Sequence, residues 1–192
     1  MSKSILLSIK PEWVAKILNG EKTIEVRKKF PKDFVGWVYI YCSKNKTGKN
    51  NGNHIGRCYP IETALKTISG KGKVVARFWC DKVETISLPY TYFRTNKWVG
   101  CENERTLQTK TLDEPDLLKK SCISEQEIYK YLNFKKSPRE CGYAIHISKL
   151  EIFDKPKKLI DLVKSYRGEG DYMVATVVSK APQNYCYIVG EW

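Results

Sequence analysis

The segment Gly20-Glu-Lys22-Thr-Ile-Glu25-Val-Arg27 sets a carboxylate between two cations. Thr23 to Arg27 alternates polar and apolar residues, the period of a strand, with Ile24 and Val26 on one face and Thr23, Glu25 and Arg27 on the other. Glu25 and Arg27 are then about 7 Å apart along the strand, and Lys22 sits at the turn into it. Such cations hold a phosphate or polarise a carbonyl. A carboxylate between them accepts a base amino proton or fixes the geometry of the cations. The same spacing also suits a solvated strand face laced by cross-strand ion pairs, each worth less than about 1 kcal/mol. Spacing alone leaves both readings open.

Further polar side chains stand where they can join this chemistry. Arg77 and Trp79 share a strand face, a cation beside an aromatic that suits phosphate contact with base stacking or simple packing under a later element. Ser43 and Lys44 end a strand and lead into a basic loop. Gln183, after Pro182, can read a base edge or merely turn the chain. His146 reads as a structural histidine within a strand. His54 and Cys58 are four apart, and one such pair falls short of the three or four ligands a metal needs. The seven cysteines are odd in number and widely spaced, without a Cys-x-x-Cys, so they read as reduced packing residues rather than a zinc ribbon or redox pair. No metal and no cofactor are expected.

Charge gives these residues a context. The chain carries a net +13, unevenly spread: residues 1–100 hold 19 basic and 7 acidic side chains, against 15 and 14 in residues 101–192. Residues 37–60 carry Lys44, Lys46, Lys49 and Arg57 and no acid. This bias favours polyanions, nucleic acid being the common one. With 42% hydrophobic and 29% charged residues in 192, the composition is that of one globular domain with a core, not a disordered chain. No apolar run approaches the roughly 18 residues of a membrane span. The start lacks the apolar stretch of a signal peptide, which points to the cytoplasm.

The elements that must position these groups are short. A strand over 4–10 is followed by a helix opened by Pro11, with Trp13, Val14, Ile17 and Leu18 on one face and Gly20 as its stop. Strands follow at 23–27, 36–43 and 72–80, with an exposed loop at 44–56 and a weak short helix at 59–69. Ser124-Glu-Gln-Glu127 is a capping box opening a helix to about Phe134. Strands are expected at 142–153, 172–178 and 185–190, with a short helix near 156–164. Many short strands, few helices and no glycine-rich βα turn argue for a small mixed barrel and against a doubly wound nucleotide-binding sheet. Residues 88–141 read as an excursion within one domain, with Tyr90, Tyr92 and Phe93 as anchors.

The pattern Gly20-x-Lys22-x-x-Glu25-x-Arg27 is similar to the Gly-x-Lys-x-x-[Glu/Thr]-x-Arg signature of the ASCH domain, a branch of the PUA-like superfamily. The lead-in Leu7-Ser-Ile-Lys-Pro-Glu-Trp-Val-Ala-Lys-Ile-Leu18, Tyr39–Ser43, Gly72–Cys80, Gly142–Ser148, Phe153-Asp-Lys-Pro156 and Ala181-Pro-Gln-Asn-Tyr-Cys-Tyr187 resemble further segments of that family in order, most closely its bacterial and phage-like hypothetical members. The resemblance implies an α+β fold, a PUA-like small mixed β-barrel with flanking helices, over residues 1–192 with 88–141 inserted. It also implies a cleft at Lys22–Arg27 open to RNA or a modified nucleoside. Some relatives hydrolyse an acyl group from modified cytidine with lysine, threonine and glutamate. This chain departs from them twice: Glu25 stands at the threonine position, and Arg77 where a glutamate is expected.

The leading expectation is therefore a binding module for RNA or a modified nucleotide. Lys22, Arg27, Arg77 and the Lys44–Arg57 loop supply charge, Glu25 and Gln183 read polar edges, and Ser43 bonds a phosphate. The alternatives are an amidohydrolase or ribonuclease using Lys22 and Glu25, and a protein-interaction module. Neither membrane contact nor any particular oligomeric state is indicated.

Overall fold

The computed structural model describes residues 3–44, 61–62, 67–68, 72–88, 109–111, 115–136, 141–169 and 172–189. The elements begin with β1 (Lys3–Ile9), α1 (Pro11–Leu18), β2 (Ile24–Arg27), β3 (Gly36–Cys42), β4 (Ile61–Glu62) and β5 (Thr67–Ile68). There follow β6 (Lys73–Cys80), β7 (Val83–Ser87), β8 (Thr109–Thr111), α2 (Pro115–Ser121) and α3 (Glu125–Leu132). The chain closes with β9 (Gly142–His146), β10 (Ser148–Lys157), β11 (Val163–Glu169), β12 (Tyr172–Val177) and β13 (Tyr185–Val189). They form two compact units, one of Met1–Gly20, Gly36–Trp79 and Lys149–Trp192, the other of Glu21–Val35 and Cys80–Ser148.

The first unit is a seven-stranded sheet in the order β10-β6-β3-β1-β13-β11-β12. β1 lies parallel to β3, with Leu6 opposite Tyr39, and antiparallel to β13, with Leu6 opposite Cys186. Ile5, Leu6, Leu7 and Ile9 are all buried. This apolar run, interrupted by the half-buried Ser8, is what a strand covered on both faces requires. α1 starts at Pro11 and buries Val14, Ile17 and Leu18 as the 3–4 spacing predicts. It ends at Asn19 and Gly20, the latter at φ +76°.

The second unit is a four-stranded sheet, β2-β9-β7-β8, packed against α2 and α3. Its core joins Ile24, Val26, Ile86, Leu88 and Ala144 of the sheet side to Leu117, Ile128, Leu132 and Phe134. The excursion thus supplies much of the apolar cover over β2, each fully buried Leu or Ile contributing about 1.5–3 kcal/mol. The capping box is formed: the Ser124 side chain accepts from the Glu127 N–H, and the Glu127 carboxylate accepts from the Ser124 N–H at 3.0 Å. Gly142 is where β9 passes α3, and a Cβ there would run into the Leu132 side chain.

The α+β class holds, but among the described residues the expected small mixed barrel is not closed. Closure needs the end strands of one sheet to meet. Among the described residues β10 neighbours only β6 and β12 only β11, while β2, β7, β8 and β9 make a separate open sheet. The described part of 59–69 is not helical: Ile61 pairs with Ile68 between β4 and β5, as β-branched residues favour. β10 runs through Pro156 to Lys157, leaving only a 3₁₀ turn, Leu159–Asp161, of the helix expected near 156–164. The 142–153 strand breaks at Ile147, whose N–H bonds the Thr23 carbonyl. α2 goes unpredicted because seven residues give less than two full turns of periodicity. Among the described residues no helix is long and apolar enough to cross a membrane.

Candidate functional site

Every residue of β2 is buried. The polar face of this strand is therefore not solvated, which overturns the bland reading of its charges. β2 pairs antiparallel with β9, Glu25 opposite Ile145 and Arg27 opposite Tyr143. The preceding turn is fastened to the end of α2. The Thr23 N–H donates to the Lys120 carbonyl at 2.9 Å, and the Cys122 thiol lies 3.3 Å from the Glu21 carbonyl.

Within this frame Lys22, Glu25 and Arg27 form one cluster. The Lys22 side chain has no exposed surface. Its Nζ donates to the Ser121 carbonyl at 2.6 Å and lies 3.4 Å from Glu25 Oε2. That carbonyl ends α2, where a cation is favoured by the helix dipole. The other carboxylate oxygen, Oε1, is 3.0 Å from Arg27 Nε, an ion pair rather than a well-directed hydrogen bond. Arg27 keeps 11% of its side chain exposed and shares a hydrogen bond with the Tyr131 hydroxyl. Tyr131 is 41% exposed, yet its hydroxyl end reaches the cluster, and burial there lifts its pKa above the usual tyrosine value. Burial pulls the Lys22 ammonium below its ordinary value, and Glu25 only partly restores it.

A second charged group lies in the same unit. His146 Nε2 is 2.5 Å from Glu84 Oε2, and Lys82 Nζ is 2.7 Å from Glu84 Oε1. His146 is thus a partnered histidine, as its place in a strand suggests. Among the described residues no cluster of three or more His, Cys, Asp or Glu is arranged to hold a metal.

The remaining sequence-selected residues belong to the other unit. Arg77 on β6 is held on three sides. Its Nε donates to Glu151 Oε2 at 2.6 Å, Nη1 donates to the Tyr39 hydroxyl at 3.3 Å, and the guanidinium stacks 4.1 Å over Trp37. Trp79 meets Trp37 edge-on at 5.4 Å. Arg77 is therefore a compensated cation rather than an open one. Ser43 and Gln183 flank the end of β1. The Ser43 N–H donates to the Ile9 carbonyl at 2.8 Å, and Ser8 Oγ donates to the Pro182 carbonyl at 2.7 Å. Lys44 and Gln183 are exposed, and the Lys44 stem passes close to Gly72. Lys46, Lys49, His54, Arg57 and Cys58, like Tyr90, Tyr92 and Phe93, lie outside the described residues.

No protein-family model matches the chain, and no curated protein does. Solved structures do. The ASCH protein of Zymomonas mobilis aligns over 96% of this chain and 86% of its own, with TM-score 0.50 and 15% identity. A point mutant of that protein aligns over 96% and 87%, with TM-score 0.50 and 14% identity. The chain has the ASCH fold. The resemblance read from the Lys22–Arg27 signature and its ordered companions is thereby matched at the level of architecture. Ser121 and Tyr131, which complete the cluster, carried no sequence signal, because each lies about a hundred residues from the ASCH signature and reaches it only through α2 and α3.

Proposed function

We propose that this protein is an ASCH-type, PUA-like binding module for RNA or for a nucleotide carrying a modified base, with 1–192 acting as one functional domain elaborated by 88–141. The observation that carries the reading is the joint burial of Lys22, Glu25 and Arg27. A buried ion pair often costs more than its pairing returns, and burial, the largest influence on Lys22, lowers its pKa against the attraction of Glu25. Buried groups perturbed in this way cluster at functional sites. Arg27, the most exposed of the three, and the adjacent Tyr131 are the groups a base or phosphate reaches first. Glu25 reads a polar edge of the bound base. The excess of positive charge in residues 1–100 supports an anionic partner.

The test is fluorescence anisotropy with labelled single-stranded RNA across a salt series. Affinity should fall on a log–log plot with a slope of roughly −0.7 for each phosphate neutralised. A flat salt response, or no binding at low salt, removes the nucleic-acid reading.

One observation favours hydrolysis as a second reading: a lysine of lowered pKa beside a carboxylate can serve as a base. Geometry argues against it. Both Glu25 oxygens are engaged by cations, no hydroxyl stands at that position to act as nucleophile, and Arg77 is paired to Glu151 where relatives are expected to carry a carboxylate. The expected outcome is no release of acetate from N4-acetylcytidine by the wild-type chain or by Glu25→Thr, followed by chromatography. Multiple turnovers that vanish in Lys22→Met would transfer Lys22 and Glu25 to catalytic roles.

A further inference from the structure

The seven-stranded sheet has two ends, and they are protected unequally. At one end β10 carries Lys149, Glu151, Asp154, Lys155 and Lys157, a proline at 156, and a left-handed residue at Lys149, φ +42°. Charges, proline and backbone irregularity are the devices that keep a strand edge from pairing with another chain. At the other end β12 reads Tyr-Met-Val-Ala-Thr-Val, without charge, proline or glycine, in a chain with 29% charged residues. Val174, Ala175, Thr176 and Val177 are all exposed, the two valines at 47% and 42%. Successive side chains point to opposite faces of a strand, so both faces of β12 meet solvent along this stretch.

The support behind β12 is thin. It pairs with β11 from Val163 opposite Val177 to Glu169 opposite Tyr172, while β11 is joined to β13 at Val163 opposite Val189. The described stretch of this pair is exposed at Lys164, Ser165 and Val174–Val177, and a two-stranded ribbon is marginal in water. The outer edge of β12 presents backbone N–H and C=O groups that no strand among the described residues takes up.

We infer that this edge pairs with β12 of a second copy of the chain, antiparallel about a twofold axis at Ala175. A foreign partner would need something on the strand to select it, and β12 offers no charge for that purpose. Two identical antiparallel strands, by contrast, are complementary by construction, and a twofold contact closes on itself. Ala175 is one of the two central residues of the uncharged run Tyr172–Ser179. About that centre Val174 falls opposite Thr176, so β-branched residues meet and no like charges do. This contact is independent of the nucleic-acid reading.

Sedimentation equilibrium of the full chain tests it. The wild-type chain should dimerise below about 100 µM. Val174→Lys combined with Thr176→Lys puts like charges opposite one another twice and should weaken the dimer at least about tenfold. Val174→Lys combined with Thr176→Glu puts opposite charges there and should restore it. Both positions are exposed, so circular dichroism of the variants should match the wild type. A wild-type chain monomeric at about 100 µM overturns the inference. So does a dimer indifferent to the lysine pair, or one not restored by the lysine–glutamate pair, since either result places the contact elsewhere or in another register.

Discussion

Glu25→Leu is expected to destabilise the fold by about 3–5 kcal/mol, because it leaves two buried cations without their shared counter-charge. Lys22→Met should fall within about 1 kcal/mol of the wild type, in either direction, although it removes the more deeply buried group. The asymmetry follows from the geometry. Glu25 touches both cations, through Oε2 to Lys22 and Oε1 to Arg27. Removing Lys22 leaves the Glu25–Arg27 pair intact and relieves a desolvation that already outweighs the attraction.

The pH dependence separates this account from ordinary packing defects. The folded-state pKa of Lys22 lies below its ordinary value of 10.5. The unfolded chain therefore holds a proton that the folded chain has released at pH values between the two. Stability rises with pH through that window, and the cost of the buried ammonium is fully present below it. Lys22→Met should lose this rise. Glu25→Leu should steepen and widen it, since loss of the carboxylate lowers the Lys22 value further. Urea melts from neutral pH to the alkaline side, read as differences from the wild type, make the measurement. Equal losses in the two variants, with parallel pH profiles, would mean the cluster acts as filler.

The parts of this arrangement legible in the sequence are those set by local periodicity. α1, β2, β3, β6 and α3 lie where their spacing, caps and breakers place them, because each carries its own pattern. Glu25 and Arg27 share a face for the same reason. What the sequence could not convey is set by long-range contact. The polar face of β2 looks like a solvent face in isolation, and it becomes an interior one through α2, whose last carbonyl accepts from Lys22, and α3, whose Tyr131 meets Arg27. The barrel expectation failed on the same ground. Strand number and length are local properties, but the partition of strands between two sheets depends on which edges meet. Arg77 looked like an open cation in the sequence because Glu151 and Trp37, which hold it, stand on other strands.

The binding site is expected to depend on Arg27 far more than on the basic loop. Arg27→Gln should weaken RNA or nucleotide binding by about 10- to 100-fold, the effect of removing one charged partner from a desolvated polar contact. Lys46→Ala combined with Lys49→Ala should cost only a few-fold, since a lysine contact to a single phosphate is worth about 1 kcal/mol or less. Salt sharpens the contrast. The loop variant should flatten the log–log slope by roughly 0.7 for each phosphate it no longer neutralises, because the loop acts through counterion release. Arg27→Gln should lower affinity at every salt concentration, with a slope change no larger than a single phosphate accounts for. Arg27 is also the safer probe of the cluster. It is the most exposed of the three residues, and glutamine retains a donor toward Glu25 and Tyr131, so binding and folding are read separately by pairing anisotropy with a urea melt of the same sample. Equal losses from the loop pair and from Arg27→Gln, both disappearing at high salt, would show a diffuse basic surface. The buried cluster would then be a structural tie between β2 and α2, and the modified-base reading would have no pocket to rest on.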